Sequence, residues 1–497
     1  MASRRNDIVA SQRVQIAVEM MSSNRPHGLV TQLAEDYGVS RQTLYTWEKQ
    51  AEMILHEGMV PGGHGPQAKP QTILVDKNRV QRGILKLTEE KVSQRGIVSS
   101  VSELLDTQVS LGWVNKQVAQ LEAAAAQQNE AWQPERAESL AGDELFANGQ
   151  PNLLVVGNDS LYIYALSRQD DRDGDTWGCI LLDMPTGLPF ASDAGTGLAA
   201  GAKVAQMRQH QLDWDHLLRP LWGHASRLER QAYAILIEME QRAVKFDQAR
   251  TPKRLQQHWD KWQELHQKAE EKMQEADSFS QIARQVDNQF ALIDLESGHL
   301  TNAVEGSRQL RLLGEQMSGL PGRICQKLAT NLQNWAVDLF SYQFSLRQAL
   351  QPLQSEYGQE AIAALSRLWQ CEADEKRRPL SLTERQKREQ IWRCSLEEAY
   401  QLLGDTQLWL AWEALTAVLE RSWRGSMLAE CINSLLRPVL NQRRHTDQGC
   451  LELFRFLHNA QPFQRGKRAG YSPAQMVGIS VPDDPFTLLG LAPKVSS

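Results

Sequence analysis

Residues 139–166 carry three strand patterns in succession, and nothing like them recurs in the long stretch from Trp222 to Arg424. The first, Ser139-Leu-Ala-Gly-Asp-Glu-Leu-Phe146, is a short and mostly apolar run. It ends at Asn148-Gly149, a dipeptide that favours a tight hairpin turn. Asn152-Leu-Leu-Val-Val156 follows, then a polar turn at Gly157-Asn158-Asp159, then Ser160-Leu-Tyr-Ile-Tyr-Ala-Leu166, rich in aromatic and β-branched residues. The pattern predicts a three-stranded antiparallel meander. Residues 173–184 begin on an acid and set Trp177, Ile180 and Leu181 on one helical face, and residues 187–191 read as a fourth strand. This order is mixed α/β, an architecture in which neighbouring strand tips gather a site.

Three acids stand out against this frame. Asp143 lies on the first strand and Asp193 follows the fourth. Glu430 lies in residues 426–437, where Leu428, Cys431, Ile432, Leu435 and Leu436 form a stripe at helical spacing that ends before Pro438. In-line attack on a phosphodiester needs charge stabilised on both the entering and the leaving oxygen, the work of two Mg²⁺ ions, with Mn²⁺ as a substitute. Hard dications prefer oxygen ligands, so Asp and Glu are the expected holders. Each acid has an ordinary reading too: a lone Asp near a hairpin caps a turn, and a lone Glu on an amphipathic helix is solvated. Asp159 also follows a strand and competes for the role of first acid. Its position at a hairpin turn, away from the end where Asp193 lies, favours Asp143, while Glu144 faces the opposite side by the period of two.

The flanks of two of these acids carry a resemblance. Ala429-Glu-Cys-Ile-Asn-Ser-Leu-Leu-Arg-Pro438 resembles the Glu-x-x-Asn-x-x-x-Arg-Pro stretch of several bacterial insertion-sequence DDE transposases. Ser192-Asp-Ala-Gly-Thr-Gly-Leu198 is similar to the segment around their second acid, and residues 463–473 are similar to their Arg-Gly-Lys-Arg-x-Gly-x-Ser-Pro ending. The resemblance implies an RNase H-like catalytic core in which Asp143, Asp193 and Glu430 are catalytic and hold two Mg²⁺ ions. It also implies terminal inverted repeats and target DNA as partners, and a homodimer or higher oligomer on DNA. Asp213 and His216 resemble the (Cys/Asp)-x-x-His signature that supports the active site in DDE enzymes with a large insertion. Equally, Asp213 reads as the N-cap of a helix with His216 in its first turn.

Residues 29–47 have helix-turn-helix spacing, with Ala34 at the helix crossing, Gly38 in the turn, Ser40 as N-cap and Leu44 facing inward. Arg41, Gln42, Thr43, Thr46 and Lys49 would then face a major groove. Glu35, Asp36 and Glu48 nearby predict modest affinity for this unit alone. A Gly/Pro-rich break at residues 59–66 opens a linker, and residues 80–94, 96–107 and 110–128 predict three further helices, the last capped by Ser110. These resemble a second helix-turn-helix. Arg443, Arg444, Arg465, Lys467 and Arg468 concentrate after the last catalytic helix, as a tail that could meet DNA or as an ordinary exposed one.

The expected fold class is therefore multidomain and mostly α, with an α/β RNase H-like core, N-terminal helix-turn-helix modules and an all-α insertion. The boundaries read as 1–58, a linker at 59–78, 79–133, 134–220, the insertion at 221–425, and a last helix and basic tail at 426–497. The insertion offers amphipathic stretches at 228–246, 253–276 and 362–369. Trp222, Trp259, Trp262, Trp335, Trp369, Trp392, Trp409, Trp412 and Trp423 fall within it, mostly as expected core, with one or two available to stack on an unpaired base. Six scattered cysteines without a C-x-x-C pair indicate neither a disulfide framework nor a zinc ribbon. A start without a hydrophobic region and no apolar run of membrane length predict a cytoplasmic, nucleoid-associated protein with no membrane partner. The net charge of −6 excludes little, because the distribution of cations decides DNA binding. Two other classes fit less of the sequence: a domesticated DNA-binding regulator with vestigial acids, and a scaffold organised by the helical middle.

Overall fold

The computed structural model describes residues 8–22, 25–59, 75–136, 138–185, 188–207, 209–377, 380–442 and 446–493. These are mostly helical, with one five-stranded mixed sheet among the described residues. The chain divides into two units, residues 1–76 and 77–497.

The first unit holds helices α1 (Ala10–Met20), α2 (Leu29–Asp36) and α3 (Arg41–Met59). Ile16, Met20, Leu33 and Leu44 form its core, with Ala34, Tyr37, Val39 and Trp47 at the margin. Gly38 takes φ +58°, and the Val39 N–H turns back to the Ala34 carbonyl at 3.0 Å, which closes α2. Ser40 Oγ then accepts the Thr43 N–H at 3.1 Å, so α3 starts where the sequence predicts. Helix α1 lies outside the predicted pattern, although Ile16, Ala17 and Met20 share one of its faces.

The second unit opens with α4 (Lys77–Glu89), α5 (Gln94–Leu105) and α6 (Leu111–Ala131), joined through Ile84, Ile97, Val101, Val114 and Val118. Ser110 caps α6 as expected, accepting the Trp113 N–H at 3.1 Å. These helices are built into the sheet body. Leu121 and Ala125 of α6 belong to the sheet's core, and Arg82 forks onto Asp484 at 2.6 and 2.7 Å.

The sheet comprises β1 (Leu140–Ala147), β2 (Gln150–Gly157), β3 (Ile163–Arg168), β4 (Pro189–Ser192) and β5 (Gln209–Leu212) in the order β3-β2-β1-β4-β5. The first three strands are antiparallel, and β4 and β5 run parallel to β1. Helix α7 (Gly174–Leu182) leads into β4 and α8 (Thr196–Val204) into β5. Alternation sorts the two faces of the sheet. Ala141, Leu145, Leu154 and Val156 pack under α16 (Met427–Gln442) through Ala429, Ile432, Leu436 and Leu440. Leu140, Leu153 and Val155 face Trp177, Leu181, Phe190 and Leu198, together with Phe456 and Leu457 of α17 (Gln448–Ala460). Each such large side chain contributes about 1.5–3 kcal/mol on burial. At Gly142 a Cβ would stand 2.6 Å from the Phe190 ring, so glycine lets β1 lie this close to its neighbour.

Two expectations change here. Residues after 442 are not a simple tail, because α17 buries Leu451, Leu453 and Phe456 against the sheet body. Helix α16 also continues through Pro438 to Gln442 rather than ending before the proline.

Between β5 and α16 lie α9 (Trp214–Asp247), α10 (Pro252–Asn288), α11 (Ala303–Ser318), α12 (Arg323–Trp335), α13 (Tyr342–Tyr357), α14 (Gln359–Arg377) and α15 (Leu382–Leu419), the last kinked at Gly404 with φ +66°. The described residues of this stretch are helices and their connections, apart from an isolated antiparallel bridge between Ile293 and Leu300. Its tryptophans depart from expectation, since none of the nine is fully buried. Trp222, Trp335, Trp369, Trp392 and Trp412 pack at the margin of the core, while Trp259 and Trp409 are exposed. The aromatic centre is instead Trp214, edge-on to Phe290 and Phe340. No helix among the described residues is long and apolar enough to cross a membrane.

Candidate active site

The register of the three parallel strands sets up the site. Gly142 of β1 pairs with Ser192 of β4, and Ser192 with Leu212 of β5, so the next residue of each strand is an aspartate: Asp143, Asp193 and Asp213. The Asp213 N–H donates to the Ser192 carbonyl at 2.9 Å, which holds the last two together.

Asp143 is buried. Its Oδ2 accepts the side-chain amide of Asn433 at 2.7 Å and its Oδ1 accepts the Glu144 N–H at 2.9 Å. Burial, then the charge of Asp193, pushes its carboxyl up to about 6 against those two hydrogen bonds and the nearby His216. Asp193 closes a local turn, accepting the Gly195 N–H at 3.1 Å. Glu144 faces the other side of the sheet as expected, accepting Trp177 Nε1 at 2.7 Å.

Asp213 is the N-cap that one of its sequence readings expects. It caps α9, accepting the Asp215 N–H at 2.7 Å, and its other oxygen accepts both the N–H and the hydroxyl of Ser426 at 2.8 Å. Burial would raise this carboxyl, but the hydrogen bonds from His216, Ser426 and Asp215 outweigh it and hold it below the ordinary value. His216 Nδ1 lies 3.2 Å from the same Asp213 oxygen, and that partner above all lifts the imidazole to about 9, with Asp193 and Asp143 adding to the effect. Gly425 is part of this clamp, because a Cβ there would fall 2.6 Å from Asp213 Oδ1. The Trp214 N–H meets the Arg424 carbonyl at 3.1 Å. The start of α9 is thereby fastened to the residues that start α16.

Glu430 sits in the first turn of α16, its N–H bonded to the Ser426 carbonyl at 3.1 Å. Asn433 is three residues further along the same face. The Glu430 carboxylate is about one-third exposed and lies 3.6 Å from Arg219 of α9, which also pairs with Asp215. Among the described residues no three His, Cys, Asp or Glu side chains are drawn together tightly enough to hold a metal ion. The chemistry of the donors fits a hard dication all the same. Asp143 and Asp193 repel one another, and the buried Asn433 Oδ1 beside them has no hydrogen-bond partner among the described residues. Asp143, Asp193 and Glu430 are the residues that could hold such an ion.

Asp159 is not part of this site. It lies in the β2–β3 turn, beyond the end of β1 at which Leu140 pairs with Gly157. The buried Glu138 carboxylate accepts the Asp159 and Ser160 N–H groups at 2.8 Å, so this turn is built around a structural acid. The basic tail is also partly engaged. Lys467 pairs with Glu420 at 3.0 Å, and Arg468 donates to the carbonyls of Asp159 and Asn158 at 2.6 and 3.1 Å. Arg465 is exposed, and Arg443 and Arg444 lie outside the described residues. On α3, Arg41, Gln42, Thr46 and Lys49 are exposed and Thr43 is half-buried. The Thr43 hydroxyl bonds to Ser40 Oγ at 2.8 Å and that of Thr46 to the Gln42 carbonyl at 2.8 Å. Glu48 is paired with Arg25, which lowers the acidity of this surface.

Asn433, Ser426, Gly425 and Arg219 were not singled out from sequence. Only Asn433 had a usable signal, as the Asn of the Glu-x-x-Asn stretch that begins at Glu430. No protein-family model matches the chain, and no curated protein matches it.

Proposed function

We propose that this chain is a DNA transposase of the DDE type, with an RNase H-like catalytic core and N-terminal helix-turn-helix units that bind the terminal inverted repeats of its element. The observation that carries the reading is the Asn433–Asp143 hydrogen bond between α16 and β1. It joins the helix of Glu430 to the strand of Asp143, beside the strand that ends at Asp193. The order β3-β2-β1-β4-β5, antiparallel then parallel, agrees with the RNase H-like arrangement, and the α2–α3 turn agrees with a helix-turn-helix.

In this mechanism Asp143, Asp193 and Glu430 would hold two Mg²⁺ ions, or Mn²⁺ in their place, and the ions would supply charge stabilisation to the phosphodiester oxygens. Asn433 keeps Asp143 oriented in its buried setting. Asp213 fixes the start of α16, and hence Glu430, while His216 neutralises part of the carboxylate charge. Arg41, Gln42 and Lys49 read end DNA, and the freed 3′-OH is joined to target DNA in an oligomer on paired ends.

The test uses purified protein, Mg²⁺ and duplexes taken from the flanks of its reading frame. Asp193→Ala should bind these ends as the parent does and cleave nothing, and Asp159→Ala should cleave normally. Cleavage by the Asp193 variant sinks the assignment.

A further inference from the structure

Helices α9 and α10 run on past the helical core as an arm. The buried residues of α9 fall between Trp214 and Ala232, and those of α10 between Leu265 and Asp287. Residues 233–264 contribute no buried side chain. At 1.5 Å per residue, the free part of α9 is roughly 22 Å long. A two-helix hairpin with no core of its own would splay at its end unless something braced it.

A ladder of rings does so. Phe246 of α9 lies 5.8 Å from Trp259 of α10, Trp259 stacks on Trp262 at 5.4 Å with 13° between the planes, and Trp262 meets His266 at 5.0 Å. Aromatic pairs at such separations attract one another beyond the area they bury. Phe246–Trp259 is the rung that crosses between the helices, and it joins the last turn of α9 to the first turns of α10 as a platform at the tip.

The cations of this arm gather on that platform. Residues 241–259 carry Arg242, Lys245, Arg250, Lys253 and Arg254 against a single acid, Asp247, in a chain whose net charge is −6. Lys245, Arg250, Lys253 and Arg254 are exposed. Among the described residues no carboxylate pairs with any of the five, whereas Lys261 further down α10 is bound to Glu264 at 2.8 Å. The contrast with Lys467 and Arg468, both engaged within the fold, is direct. A cluster of cations without carboxylate partners at the end of an arm, set in an otherwise acidic protein, is complementary to a regular polyanion.

We propose that the tip of the α9–α10 arm is a contact for the phosphate backbone of duplex DNA, separate from α1–α3 and from the acids of the candidate active site. It rests on the reading of this chain as a protein that acts on DNA, and not on the cleavage chemistry. Arg250, Lys253 and Arg254 meet phosphates without reading sequence, and Trp259 acts as brace.

The experiment measures binding of the full chain to a linear duplex without element ends, over a series of salt concentrations. Arg250→Gln/Lys253→Gln/Arg254→Gln is expected to flatten the plot of log affinity against log salt by up to about 2.7, at roughly 0.9 per phosphate contact. Trp259→Ala is expected to weaken binding several-fold with a smaller change in slope. All four positions are exposed, and far-ultraviolet circular dichroism verifies that the variants fold. An unchanged slope and affinity in the triple variant overturns the proposal, even in a protein that cleaves end DNA. A flattened slope in a protein that cleaves nothing leaves the arm standing and removes the transposase reading.

Discussion

Asn433 donates a 2.7 Å hydrogen bond to Asp143 across 290 positions of sequence, from one helix to the strand beneath it. Both residues are buried, so this bond has little competition from water. Asn433→Ala removes the donor that faces Asp143 Oδ2 and should destabilise the fold by about 1–3 kcal/mol in denaturant titration. Asn433→Asp, which has almost the same size, should be worse above pH 6, where two carboxylates would face each other. Equal stability of the two variants at pH 8 would mean that packing, and not the hydrogen bond, is what the position supplies.

The Asp213 clamp makes a second prediction. Gly425→Ala adds one methyl group at 2.6 Å from a carboxylate oxygen that is already committed to other donors. Overpacking of this kind costs typically about 1–3 kcal/mol. Asp213→Ala strips the partner from the Ser426 N–H and hydroxyl and from the Asp215 N–H, and the loss should be on the order of 3 kcal/mol. Both changes act on the segment that starts α16, so hydrogen exchange should rise first at residues 427–431. Exchange confined to the helical core would instead detach the clamp from Glu430.

Much of this frame was legible from sequence because short-range chemistry decides it. Asn148 and Gly149 adopt φ +52° and +80°, the left-handed pair that the dipeptide foretells, and the β1–β2 register follows from that turn. Strand β3 starts at Ile163 rather than Ser160 for a reason that sequence hides. Glu138 takes up the N–H groups of Asp159 and Ser160, and Leu161 turns to φ +61°. Strand β5 and helix α8 escaped because Gln209-His-Gln-Leu212 has no β-branched residue and Thr196–Val204 is rich in Gly and Ala, which pack closely against α7 without an apolar stripe. The Asp213–Ser426 and Asp143–Asn433 links each span more than two hundred positions, and local periodicity carries no record of such pairs.

Acid should weaken the fold between about pH 6.5 and 4. Burial depresses both His210, whose ring meets Ser192 Oγ at 2.7 Å, and His458, whose Nε2 meets the Leu161 carbonyl at 2.9 Å, to about 4. In that window the unfolded chain binds more protons than the folded one, so stability falls as pH falls, by on the order of 3 kcal/mol per histidine at most. Asp143, raised to about 6, opposes this between its ordinary 3.8 and 6. His216 acts on the other side: its contribution is complete below 6.5 and is lost as pH rises towards 9. Thermal unfolding in chelator should therefore show a maximum near pH 6.5, and His458→Gln should flatten the acid limb. A limb of unchanged steepness in that variant would assign the acid sensitivity to other groups.

Metal binding should carry the signature of Asp143. A carboxyl that takes up its proton near pH 6 must lose it to act as a ligand, so proton and cation compete for the same oxygens. With a midpoint at 6, the deprotonated fraction differs roughly tenfold between pH 5 and pH 7, and the apparent affinity for Mn²⁺ in calorimetric titration should change by that factor. Asp193 is one cause of the raised value, its charge disfavouring a second one beside it. Asp193→Asn should accordingly weaken binding at both pH values through the lost ligand, while moving the midpoint below 6 and so shrinking the difference between pH 5 and pH 7. Mn²⁺ affinity independent of pH over this range, in the parent protein, would exclude Asp143 as a ligand.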